Sequence, residues 1–134
     1  MEGLPTRPRI VIAEDFVLIQ ESIRLALEKD CDVVALIEDG EAALDAVATL
    51  APDILLLDVS LPKLRGFSVV EKLTRAGSTT KAIFVTSYSD KNYVERAFEI
   101  GAKGYVLKGA MQTELLAAVR VVIAGGLYRS PLLR

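Results

Sequence analysis

The chain has 134 residues, 51% of them hydrophobic, with 16 basic side chains against 18 acidic ones and no histidine. That is apolar material for one folded domain rather than a disordered chain, and a net charge of −2 gives no general attraction to nucleic acid or an anionic membrane. The missing histidine excludes a Ser-His-Asp triad, a histidine-ligated zinc and a phosphohistidine on this chain.

The opening "MEGLPTR", residues 1–7, reads as a tail. A strand is predicted over 10–13, "IVIA", where Glu14 and Asp15 end the apolar run too soon for a signal peptide. Ile19, Ile23, Ala26 and Leu27 then fall on one face of a first helix. Cys31, in "KDCDVV", has no second thiol to pair with and reads as a small filler residue, which fits a reducing cytoplasm. A second strand is predicted over 33–37, and a second helix through Ala43, Val47 and Leu50, stopped by Pro52. The third strand, 54–57, is apolar throughout, as expected of a strand buried on both faces. Phe67, Val70 and Leu73 mark the third helix, the fourth strand covers 82–85, and Val94, Ala97 and Phe98 mark the fourth helix. A fifth strand over 105–107 and a fifth helix over about 112–124 follow, the latter stopped by Gly125 and Gly126. The closing "YRSPLLR" reads as a second tail. No stretch reaches the roughly 18 apolar residues of a membrane span.

Five strands alternating with five helices predict an α/β fold, a doubly wound parallel sheet covered on both faces. Ligands of such sheets bind at the carboxyl ends of the strands. Polar groups stand at four of those ends: Glu14 and Asp15 after the first, Asp58 after the third, Thr86 and Ser87 at the fourth, Lys108 after the fifth. Each alone has an ordinary explanation. Asp58 in "ILLLDVSLP" is a favoured turn residue, and most lysines are simply solvated. Together they are less ordinary, because like charges held close repel unless something neutralises them.

Magnesium suits carboxylate and carbonyl oxygens. An aspartate can attack phosphorus as a covalent nucleophile, and phosphoryl transfer asks mainly for positioning and charge neutralisation. Asp58, alone at its strand end, is the candidate nucleophile. Glu14 and Asp15 are the candidate metal-holding pair, with Thr86 and Lys108 as candidate partners of phosphoryl oxygens.

Over residues 8–126 the chain resembles the response-regulator receiver domain of bacterial two-component signalling. The resemblance is carried by "EDF" at 14–16, "DVSLPKLRG" at 58–66, "VTSYSD" at 85–90 and "GAKGYVLK" at 101–108. It implies a flavodoxin-like (βα)5 fold with strand order 2-1-3-4-5, and Asp58 as acceptor of a phosphoryl group from a sensor histidine kinase. It implies Mg2+ held by Asp15, Asp58 and the Ser60 backbone carbonyl, with Glu14 reaching it through water. Thr86 and Lys108 would meet the phosphoryl group, Tyr105 would be the switch aromatic, and Ser60 and Tyr88 would flank the path of a hydrolytic water. The only chemistry implied is self-phosphorylation and slow autodephosphorylation. The tail "AGGLYRSP" is similar to the end of NarL/FixJ-type receivers. Residues 127–134 are then expected to begin a linker to a missing helix-turn-helix output domain, through which alone DNA would be bound. A cytoplasmic transcription regulator is the whole protein so implied.

The chain departs from the family pattern in places. Gly109 follows Lys108 where the family has a proline after a cis bond. A cis bond before a non-proline costs about 2.5–4 kcal/mol, so a trans peptide or a rearranged loop is expected. Leu61 and Ser87 replace a common methionine and alanine. In the fifth helix, Leu116, Val119 and Ile123 make one apolar face and Leu115, Ala118 and Val122 another. The face that a sheet does not need is covered either by the neighbouring first and fourth helices or by a partner. A homodimer through this helix is expected, with Val122 in the contact. The resemblance implies that phosphorylation favours it, with Thr86 and Tyr105 as the switch residues that link site to surface. Two other readings compete. One is a non-phosphorylated pseudo-receiver that only binds protein. The other is an aspartate-nucleophile phosphatase, which needs a second aspartate where Ser60 stands.

Overall fold

The computed structural model describes residues 7–133; the first six residues of the tail expected over 1–7, and Arg134, lie outside them. Strands β1 (Arg9–Ala13), β2 (Asp32–Ile37), β3 (Ile54–Leu57), β4 (Lys81–Thr86) and β5 (Gly104–Leu107) alternate with helices α1 (Val17–Leu27), α2 (Gly40–Leu50), α3 (Gly66–Arg75), α4 (Lys91–Glu99) and α5 (Met111–Ile123). The sheet is parallel, in the expected order β2-β1-β3-β4-β5, and a sixth strand, β6 (Tyr128–Arg129), extends it beyond β5. The closing stretch expected as a tail is therefore docked. The Tyr128 N–H donates to the Lys103 carbonyl and the Ser130 N–H to the Tyr105 carbonyl, each at 3.0 Å.

Alternation along the strands sorts the core into two layers. Val11, Ala13, Leu55, Leu57 and Phe84 face α2, α3 and α4, while Ile10, Ile12, Ile54, Leu56 and Ile83 face α1 and α5. In α1 the buried stripe is Gln20, Ile23 and Leu27, so a glutamine takes a place expected for Ile19. Its burial is tolerated because Gln20 Nε2 donates to the Glu14 and Ile37 carbonyls, each at 3.1 Å. That pair of bonds also ties the ends of β1 and β2 together beneath Glu14.

The register of α5 corrects one expectation. Met111, Leu115, Ala118, Val119 and Val122 are buried against the sheet, and Val122 is fully covered. The surplus apolar surface belongs instead to Val121 and Ile123, at 37% and 40% exposed. Val122 is thus a core residue, not a contact residue.

Glycine is required at two turns near the strand ends. A Cβ on Gly66 would stand 2.2 Å from the Asp58 carbonyl oxygen, so only glycine lets α3 begin this close to the end of β3. Gly125 closes α5 with φ +98, a left-handed turn that sends the chain back toward β5.

Candidate functional site

The carboxyl ends of β1, β3 and β5 bring Glu14, Asp58 and Lys108 into direct contact. Asp58 follows the fully buried run of β3 and is itself only 7% exposed. Its Oδ2 accepts from Lys108 Nζ at 2.6 Å, and its Oδ1 accepts a long bond, 3.3 Å, from the Ser60 N–H. Glu14 is buried at the end of β1, its Oε2 accepting from the Phe16 N–H at 3.0 Å. Its Oε1 lies 2.8 Å from Lys108 Nζ. The angle misses that of a hydrogen bond, so this buried oxygen is ion-paired yet keeps an unfilled acceptor position. The ammonium is thus the counter-ion of two carboxylates at once.

The electrostatics follow from burial and from this sharing. Burial pushes the Glu14 carboxyl above its ordinary range, more strongly than the Lys108 contact and the Phe16 N–H pull it down, and the Asp58 charge adds to the rise. Burial pulls the Lys108 ammonium down, but its hydrogen bond to Asp58 and the nearby charges of Asp58 and Glu14 outweigh that and hold it above its usual range. It stays a cation. The Lys108–Gly109 peptide is trans, as expected, and the chain passes straight into a 3-10 turn over Lys108–Ala110.

Thr86 and Tyr105 lie one step away. Thr86 is fully buried at the end of β4, its Oγ1 meeting the Tyr88 N–H at 3.5 Å. Tyr105 is fully buried as well, and its hydroxyl donates to the Tyr88 carbonyl at 2.6 Å. Burial first, and then the Asp58 charge, raise its phenol well above the ordinary tyrosine range. The Tyr88 hydroxyl lies 2.9 Å from Ser60 Oγ. Ser60 and Tyr88 so link the loops after β3 and β4.

Asp15 behaves differently from its neighbour. It is half-buried and makes no hydrogen bond or ion pair among the described residues. Nor, among those residues, is any group of three or more acidic or cysteine side chains arranged to hold a metal ion. One participant carried no role in the sequence reading: Phe16. Its ring centroid lies 5.9 Å from Lys108 Nζ while its backbone holds Glu14. An aromatic directly after an acidic pair was the available signal.

The sequence profile of the response regulator receiver domain family matches residues 10–120. The chain belongs to that family. This receiver domain is 36% identical over 125 residues to the transcriptional regulatory protein DegU of Brevibacillus brevis, covering 92% of this chain and 53% of DegU. It is 36% identical over 123 residues to the oxygen regulatory protein NreC of Staphylococcus haemolyticus, covering 90% and 57%. The chain spans about half the length of these curated relatives. Among solved structures it resembles the signal receiver domain of the response regulator NarL from Mycobacterium tuberculosis, with TM-score 0.87 and 29% identity over 90% of this chain and 99% of that one. A LuxR-family two-component response regulator from Aurantimonas sp. SI85-9A1 superimposes with TM-score 0.90 and 27% identity, covering 96% and 93%. The likeness to NarL/FixJ-type receivers thus holds for sequence and fold. No helix among the described residues is long and apolar enough to cross a membrane.

Proposed function

We propose that this receiver domain takes a phosphoryl group on Asp58 from a sensor histidine kinase and passes its state to an output. The observation that carries the reading is the Asp58–Lys108 pair, 2.6 Å apart beside buried Glu14, at the carboxyl end of a fully buried strand. In the transfer, an Asp58 carboxylate oxygen attacks phosphorus, the phosphorus–nitrogen bond of the donor breaks, and its electron pair stays with the donor imidazole. The Oδ1 position, held only by the long Ser60 bond, is the freer oxygen for this attack. Lys108 neutralises charge on the phosphoryl oxygens, and the Thr86 hydroxyl donates to another.

The donor set fits magnesium. Glu14 Oε1 is a buried oxygen with an unfilled acceptor position, and Asp15 beside it is unpaired among the described residues. Asp15, Asp58 and the Ser60 carbonyl would hold the ion, with Glu14 reaching it through water. When bound, magnesium supplies charge neutralisation at the phosphoryl group.

The same reading makes the whole protein a cytoplasmic transcription regulator whose only chemistry is its own phosphorylation and slow dephosphorylation. Its DNA contact is assigned to a helix-turn-helix region beyond 127–134. It pairs with itself through α5. The test of the core claim is intact mass after incubation with acetyl phosphate and magnesium. Wild type gains one phosphoryl group and Asp58→Asn gains none. Equal labelling of the two overturns the assignment, and an unlabelled wild type favours the pseudo-receiver reading.

A further inference from the structure

The short closing segment is held more firmly than two residues of strand require. Ser130 is fully buried, and its Oγ donates to Glu114 Oε1 at 2.6 Å. The Tyr128 hydroxyl donates to the same oxygen at 2.9 Å. The Leu107 N–H, which the edge strand would otherwise leave open, donates back to Ser130 Oγ at 3.1 Å. Arg129 stacks on the Phe98 ring of α4 at 5.0 Å, and the last turn, Pro131–Leu133, lays Leu133 against the core layer that contains Tyr105. The segment therefore grips Tyr105 and Leu107 of β5, and Lys103 just before the strand, close to Lys108.

Two features make this grip releasable. The pairing spans only two positions, Gly104 with Tyr128 and Tyr105 with Arg129, and Leu127 and Leu132 are 64% and 81% exposed. A docked element with so few ladder bonds opens far more easily than the core. Beneath it lies a cavity of about 460 Å3, lined by Ser89, Lys91, Val94, Arg129, Leu132 and Leu133. The segment forms one wall. Lys91 and Val94 of α4 line the cavity too, together with Ser89 of the loop after β4, the loop whose Tyr88 carbonyl anchors the Tyr105 hydroxyl.

We propose that residues 128–133 form a releasable strap, clasped by Glu114, whose docking is coupled to the Tyr88–Tyr105 contact of the loop after β4. Docked, the strap fixes the Tyr105 backbone from one side while Tyr88 fixes its hydroxyl from the other. Movement of that loop into the shared cavity displaces the strap, and loss of the strap loosens the loop, because coupling between two sites is reciprocal. The strap thereby converts the state of the buried site into the position of the chain that leaves the domain.

Amide hydrogen exchange on the full chain tests this with Ser130→Ala and Glu114→Ala. Both variants exchange the Ser130 and Leu133 amides roughly tenfold faster than wild type, the scale for losing a hydrogen bond to a charged acceptor, and exchange across residues 86–88 rises with them. Unchanged exchange at Ser130 and Leu133 in both variants overturns the clasp. Faster exchange there with none across 86–88 overturns the coupling. A third arm rests on Asp58 as the acceptor: in wild type whose mass shows one phosphoryl group, strap exchange rises, and unchanged exchange overturns the link to that site. If wild type takes no phosphoryl group, the acceptor reading falls instead, and the two variants still decide the strap.

Discussion

At the scale of single residues, the site is organised around one cation serving two buried carboxylates. Glu14 bears the cost. Its carboxyl titrates above the unfolded value of 4.5 because burial disfavours its charged form. As pH rises from there through the raised folded value, the native state holds a proton that the unfolded state has released, so this group's contribution to stability falls. Glu14→Gln removes that fall. In metal-free buffer the variant should gain stability relative to wild type as pH climbs from 4.5 toward neutrality. Urea titrations at two pH values check it, and a constant difference refutes it. Tyr88 invites a second substitution. Its hydroxyl meets Ser60 Oγ at 2.9 Å, joining the two loops that flank Asp58. Ser60 is no strong base, so on the proposed reading the bridge would shield the phosphoryl group without activating water. Tyr88→Ala should shorten the lifetime of the phosphorylated form several-fold, roughly the effect of losing about 1 kcal/mol, and phosphate release measures it. The sequence made Asp58 and Lys108 visible because each follows directly on an apolar run. Asp15 stands apart from Glu14 because adjacent residues leaving a strand point in different directions, so two neighbouring acids in sequence need not share one partner.

At the scale of elements, α5 sets the limits of pattern reading. The run "LLAAVRVVIA" is apolar nearly all round, so no periodic contrast says which stripe faces the sheet. The structure puts Val122 inside and Ile123 outside. A charge at Val122 would therefore disrupt the core rather than a contact. Ile123→Glu is the informative substitution for the proposed pairing: a folded variant whose phosphorylated form scatters light as a monomer while wild type forms a dimer. Equal dimerisation would remove this face of α5 from the interface. The first five strands were legible because continuous apolar runs bounded by turn residues have few alternatives. β6 was not, since Tyr128 and Arg129 carry no such run. What holds the segment is a carboxylate 14 and 16 positions earlier, at Glu114, acting on Tyr128 and Ser130. Contacts across that distance leave no local trace in a sequence.

At the scale of the whole molecule, ligand binding at the strand ends should be felt as global stability. An ion bound only by the native state raises the melting temperature by mass action. Magnesium should stabilise wild type by a few degrees at millimolar concentration, and Asp15→Asn should lose that response while melting no lower than wild type without the ion. Retained stabilisation in the variant would exclude Asp15 as a ligand. Lys108 carries a different consequence for the molecule. It lies 50 positions downstream of the Asp58 that it neutralises, directly after a strand separated from β3 by β4. During synthesis Asp58 leaves the ribosome long before its counter-ion, and the two meet only once β5 has been added to the sheet. A nascent chain arrested before residue 108 carries the acidic residues without the ammonium. On the proposed reading, competence to be labelled arrives only when β5 and Lys108 join the sheet, so the reaction is withheld until that last pairing of the acceptor with its counter-ion.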